Sequence, residues 1–131
     1  MTITQELLDG LTQKAAQSDR RRMNLDMRNS ADDMSQRMLN ALEPDTVLPI
    51  HRHRLSSETV IIVRGAIEQL FFDNEGHVTE RFTLRPGADI VGLNVPAGQW
   101  HRTVALEHGT VIFEAKDGAY QPLSEDDILT L

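Results

Sequence analysis

His51 and His53 flank a single arginine, Glu58 follows five positions later, and His101 comes directly after Pro96-Ala97-Gly98-Gln99-Trp100. On an extended strand, residues i and i+2 project from the same face, so His51 and His53 aim both imidazoles at one point. Glu58 and His101 each open a further apolar run. In a closed antiparallel barrel such strand starts can be neighbours, which would bring three imidazoles and one carboxylate around a single cation. Nitrogen and oxygen donors without sulfur suit one divalent transition metal ion, with Zn, Fe, Mn, Ni and Co all admissible. A divalent ion beside one glutamate keeps a formal charge of about +1, which favours anionic or chelating oxygen ligands. The alternative is that these side chains merely hydrogen-bond inside a polar barrel. His77 and His108 each abut a glycine in an expected turn and are read as solvent-exposed.

The elements that must position this set fall into two patterns. Residues 1–43 read as a helical N-terminal extension, and residues 44–131 read as a β-barrel of the same structural domain. Thr4 can cap a first helix whose Leu7, Leu8, Leu11 and Ala15 share one face. A second helix is expected from Ser30 to Pro44, because Met34, Met38 and Leu42 recur every four residues and Pro44 ends the run. From Thr46 onward, short β-branched and aromatic runs alternate with turn signals, as in a sandwich or barrel. Strands are expected over 46–51, 58–64, 66–72, 77–83, 90–95, 100–106 and 110–115, and a short closing helix over part of 122–131. Trp100 and the Phe71-Phe72 pair read as core.

Composition narrows the possibilities. The chain has 131 residues, 13 basic and 20 acidic side chains and a formal charge of -7, a balance that repels nucleic acid and anionic lipid. With no cysteine, disulfides, thiolate metal sites and a cysteine nucleophile are excluded. No apolar run reaches the roughly 18 residues of a membrane span, and Met1 to Leu11 lacks the pattern of a secretory signal, so the expected address is cytoplasmic.

His51-Arg52-His53, Glu58 and Gly65 resemble the first motif of the cupins, and Pro96-x-Gly98-x-x-His101 resembles the second. The resemblance implies a cupin double-stranded β-helix, a jelly-roll barrel, behind the N-terminal α-helical extension, with His51, His53, Glu58 and His101 as metal ligands. It departs at Asp45 and Ile90, where the cupin pattern has glycine, and at Ala105, where it has asparagine. Residues 36–44 and 118–123 look like the WbuC-type cupin fold metalloproteins of O-antigen gene sets. That similarity implies a small-molecule substrate, anionic or polyhydroxylated, such as a sugar or sugar nucleotide. Isomerase, epimerase or oxygenase chemistry fits such a site, and so does a non-catalytic binding or regulatory module. Cupins commonly pair, so a homodimer is expected.

No catalytic base is placed by the sequence. Candidate substrate-binding residues are Arg22 and Arg28, from an arginine-rich segment at 19–29, and Arg37 and Asn40, spaced i, i+3 on the expected second helix. Solvated turn and solvated helix face are the competing readings. Arg102 follows a ligand but points to the opposite strand face, so a structural use is expected.

Overall fold

The structure is a computed structural model describing residues 1–130. One helix, α1 (Gln5–Gln17), precedes ten strands: β1 (Arg22–Asp26), β2 (Ser35–Leu42), β3 (Ile50–His51), β4 (Glu58–Arg64), β5 (Ile67–Phe72), β6 (Val78–Leu84), β7 (Gly92–Val95), β8 (Trp100–Ala105), β9 (Thr110–Asp117) and β10 (Ile128–Leu129). They form two five-stranded antiparallel sheets, ordered β1-β2-β9-β4-β7 and β10-β3-β8-β5-β6. This is a double-sheet jelly roll. Among the described residues no helix is long and apolar enough to cross a membrane.

The Thr4 hydroxyl caps α1 by accepting from the Leu7 amide at 3.1 Å. Leu8, Leu11 and Ala15 then pack on Leu39, Ala41 and Val111, covering the outer face of the first sheet. Between the sheets, Leu42, Val60, Ile62, Ile67, Leu84, Ala105 and Ile112 form the buried core. Trp100 and Phe72 are buried with Ile50 and Leu70 in a third cluster, and Phe71 packs edge-on against Phe82.

The expected second helix is instead strand β2. A four-residue spacing is also two full strand repeats, so Met38 and Leu42 share a face in either conformation. Both faces of β2 are covered: Leu42 looks into the barrel, while Leu39 and Ala41 look toward α1. The usual apolar and polar alternation is therefore lost, which made the segment resemble a helix. The arginine-rich segment likewise contributes an edge strand, β1, paired with β2 from Arg22 opposite Leu42 to Asp26 opposite Met38. The strand expected over 46–51 contracts to Ile50–His51, with the Val47 carbonyl accepting from Arg22 Nη1. The closing helix is a single 3-10 turn, Glu125–Asp127, leading into β10.

Gly65 turns the chain between β4 and β5 at φ +78°. A Cβ there would lie 2.4 Å from Thr110 Oγ1 and 2.8 Å from Thr110 Cα, so the close approach requires glycine.

Candidate metal centre

Strand register divides the barrel interior into an apolar and a polar end. In the first sheet, Gln36 pairs with Lys116, Lys116 with Glu58, and Glu58 with Val95. The next inward-facing row carries Met38, Glu114, Val60 and Leu93. In the second sheet, His51 is opposite His101, and His101 opposite Phe71. The polar row of one sheet thus faces the histidines of the other, while Leu42, Ile62, Ile67 and Ile112 fill the far end.

The structure brings His51, His53 and His101 together, with one ring nitrogen of each lying within 4.8 Å of the others. Ring centroids are 4.2 Å apart for His51 and His101, 5.1 Å for His51 and His53, and 5.7 Å for His53 and His101. Glu58 joins them, with Oε1 3.1 Å from His101 Nε2 and Oε2 3.6 Å from His53 Nε2. Backbone carbonyls orient two rings: His51 Nδ1 lies 3.0 Å from Pro49 O, and His101 Nδ1 lies 2.9 Å from Gln99 O. A proton on each Nδ1 satisfies those carbonyls and leaves the Nε2 lone pair facing the centre, a familiar way of orienting metal-binding imidazoles.

The Nε2 atoms of His53 and His101 are buried without a hydrogen-bond partner. Leaving buried polar atoms unpaired is costly, and lone pairs on His101 Nε2 and Glu58 Oε1 repel unless a cation or proton lies between them. The donor set therefore fits a divalent transition metal ion.

The electrostatics agree with that fit. Burial, reinforced by the neighbouring His101, lowers the His51 pKa to about 4. Burial and the Lys116 charge do the same for His53, again to about 4. Both rings are therefore neutral at pH 7, as metal ligation requires. For Glu58, burial alone would raise the pKa, but contact with His101 and the charge of Lys116 outweigh it and hold the group at about 2.

Two charged residues in these rows were not singled out from the sequence. Lys116 Nζ lies 3.5 Å from Glu58 Oε2. Burial, and then the Glu58 charge, push the Glu114 carboxyl up to about 7, so without metal it can hold or release a proton near neutrality. A cation at the centre would pull that value down. Their signal was the i, i+2 relation of Glu114 and Lys116 on one strand face, the same relation that links His51 and His53.

A cavity of about 780 Å³ opens at this end, with His51, His53, Gln36, Lys116, Tyr120 and Asp127 in its wall. Arg22, Arg28, Arg37 and Asn40 are outside that wall. Arg22 Nη1 donates to Thr46 Oγ1 and Val47 O, and Arg37 Nη1 to Ser35 O and Asp33 Oδ2. Asn40 shares the inward face of β2 with Leu42, opposite Ile112. Arg28 pairs with Asp26 at 2.6 Å and lies 5.4 Å from the ring centroid of Tyr120, a residue of the cavity wall. Arg102 stacks over Phe72 on the outer face. His77 and His108 have exposed side chains, with His108 Nδ1 2.7 Å from the buried Glu43 carboxylate.

The two antiparallel sheets with histidines at one end of the barrel define a cupin fold. Among solved structures, the chain is similar to KdgF from a Halomonas species, with TM-score 0.61 and 18% identity over 76% of this chain and 82% of that one. It is also similar to the capsular polysaccharide assembling protein CapF from Staphylococcus aureus, with TM-score 0.66, 18% identity and 80% of this chain covered. A Bacillus subtilis oxalate decarboxylase mutant gives TM-score 0.52 and 18% identity over 65% of this chain. The chain spans 30% of CapF and 21% of the decarboxylase. No curated protein matches it in sequence. By its residues 3–84, the chain belongs to the family described as Domain of unknown function (DUF6016).

Proposed function

We propose that this cupin is a metal-dependent enzyme in which His51, His53, Glu58 and His101 hold one divalent transition metal ion and the adjoining cavity admits a small polar or anionic substrate. The observation that carries this reading is the convergence of unpartnered imidazole nitrogens on the Glu58 carboxylate. When bound, such an ion supplies Lewis acidity toward a carbonyl or hydroxyl oxygen. The chain's own residues do the rest. Pro49 and Gln99 hold two rings in one tautomer through their carbonyls, the third-cluster side chains exclude water behind β3 and β8, and Glu114 offers a carboxyl able to exchange a proton. Groups that can assist proton transfer or hold substrate, beyond the ligands themselves, favour turnover over simple binding.

A sugar or sugar nucleotide is our reading of the substrate. It is supported by the WbuC-like segments at 36–44 and 118–123 and by the likeness to a capsular polysaccharide assembling protein. We further propose a cytoplasmic homodimer, checked by fractionation and by light scattering across concentrations. The principal test is elemental analysis of protein purified without added metal, beside His53→Ala. Stoichiometric metal in the wild type and its loss in H53A are expected, and H53A retaining a full equivalent would refute the ligand assignment. A thermal-shift screen of sugars, sugar nucleotides and organic acids then tests the substrate class.

A further inference from the structure

Lys116 is the cation of the cavity whose charge is least committed. Its side chain is 16% exposed, and Nζ lies 3.5 Å from Glu58 Oε2, the only carboxylate oxygen within 4.0 Å of it among the described residues. The other two cations in the wall are engaged elsewhere. Arg52 Nε donates to Asp127 Oδ1 at 3.3 Å and its Nη2 to Asp126 O. Arg54 Nε donates to the same Asp127 oxygen at 2.7 Å. Gln36, opposite Lys116 on β2, gives its amide to Gly118 O.

Resting on the metal reading above, the consequence is electrostatic. A metal at the histidine centre takes the Glu58 charge for itself, and Lys116 is left as a part-buried ammonium at the edge of a cavity with no other carboxylate oxygen within 4.0 Å among the described residues; Glu114, two residues back on the same strand face, lies beyond that distance. Such a group is stabilised by an anion that enters with the ligand. Register fixes its position: Lys116 is the cross-strand neighbour of Glu58, so its ammonium flanks the centre from the first sheet while His51 and His101 face it from the second.

We propose that Lys116 is the substrate-anion residue of this site, and that the ligand is a carboxylate carrying an oxygen on the adjacent carbon, a 2-hydroxy or 2-oxo acid, sugar acids included. Lys116 holds the carboxylate while the neighbouring oxygen faces the histidine cluster. A neutral polyol satisfies the cluster but leaves the ammonium unpaired, so the site discriminates by charge as well as by shape. Charge-assisted hydrogen bonds of this kind are commonly worth about tenfold or more in affinity.

The test uses the full chain loaded with Co2+, whose visible absorption reports ligands entering the site, and two small probes, glycolate and its uncharged analogue glycolamide. The wild type should bind glycolate about tenfold or more tightly than glycolamide. Lys116→Met and Lys116→Gln should take up cobalt as the wild type does yet lose most of that preference, the remainder coming from the residual charge of the ion, whereas Lys116→Arg should keep most of it. Equal affinity of the wild type for the two probes overturns the proposal without recourse to any variant. So does unchanged glycolate affinity in a cobalt-loaded K116M protein, and either result leaves the metal reading intact. A wild type that takes up no cobalt and no other divalent ion overturns the metal reading, and this proposal with it.

Discussion

Arg52, placed between two of the clustered histidines, donates to Asp127 at 3.3 Å and lies with its guanidinium 4.4 Å from the Trp100 ring centroid. One side chain thus ties the histidine run to the C-terminal segment and to the strand that carries His101. The backbone repeats the link, since the Arg52 amide donates to Asp127 O and β10 pairs with β3 at Ile128 opposite His51.

Replacing Asp127 with alanine should therefore release Arg52 and Arg54 together and loosen the C-terminal segment over the cavity. Because the ion pairs lie at the surface, global stability should change little. The effect should be local, seen as faster hydrogen exchange at the β3 and β10 amides. Unchanged exchange there would mean that the strand pairing alone holds the segment.

Helix α1 serves the sheet rather than the site. Leu8 is buried against the outer face of the first sheet, away from the histidines. Leu8→Ala should cost about 2–5 kcal/mol in chemical denaturation while leaving metal content unchanged. A loss of metal in a folded L8A protein would contradict this division of labour.

Chelator-treated protein should lose stability as pH falls from about 6.5 toward 4. Burial lowers the pKa values of His51 and His53 from 6.5 to about 4 in the folded state, so over this window the unfolded chain binds more protons than the folded one. Glu114, pushed up to about 7 by burial, works the other way between about 7 and the unfolded carboxylate value of 4.5, but it offsets only one of the two histidines, so stability still falls. Glu58, held at about 2, adds to the loss below about 4.5, where its contribution begins to fade. Urea midpoints at several pH values test the slope. A flat profile between pH 6.5 and 4 would show that the rings are not buried neutral.

The histidine cluster was legible because period-two spacing of a rare, chemically distinctive residue means one thing on a strand: His51 and His53 converge. Period alone misled at β2, where every fourth position is consistent with helix and strand alike and burial on both faces removed the alternation. Glu114 and Lys116 follow the same i, i+2 rule as the histidines, yet charged residues near a strand end are ordinarily solvated. Only the register placing Lys116 beside Glu58 reveals that this face is the interior. The arginines of 19–29 read as candidate substrate-binding groups because sequence displays charge but not partners, and Asp26, Asp45, Thr46 and Val47 absorb three of them.

Glu58→Gln should weaken the centre with and without metal. In the metal-free protein the Glu58 carboxylate lies 3.1 Å from His101 Nε2 and 3.5 Å from Lys116 Nζ, and against the opposing effect of burial these contacts hold its pKa at about 2. A carboxyl whose folded pKa lies below its unfolded value stabilises the fold while it is ionised. A neutral amide gives up that contribution and leaves the part-buried Lys116 ammonium without the carboxylate. It also removes the one anionic member of the cluster, and a neutral amide is a weaker donor to a divalent ion than a carboxylate. Chelated E58Q should therefore melt below the chelated wild type, and metal-loaded E58Q should gain less from the ion than the wild type does. Thermal melts of the four samples decide it. Chelated E58Q melting above the chelated wild type would show that a lone pair of His101, rather than a proton, faces Glu58 when the metal is absent.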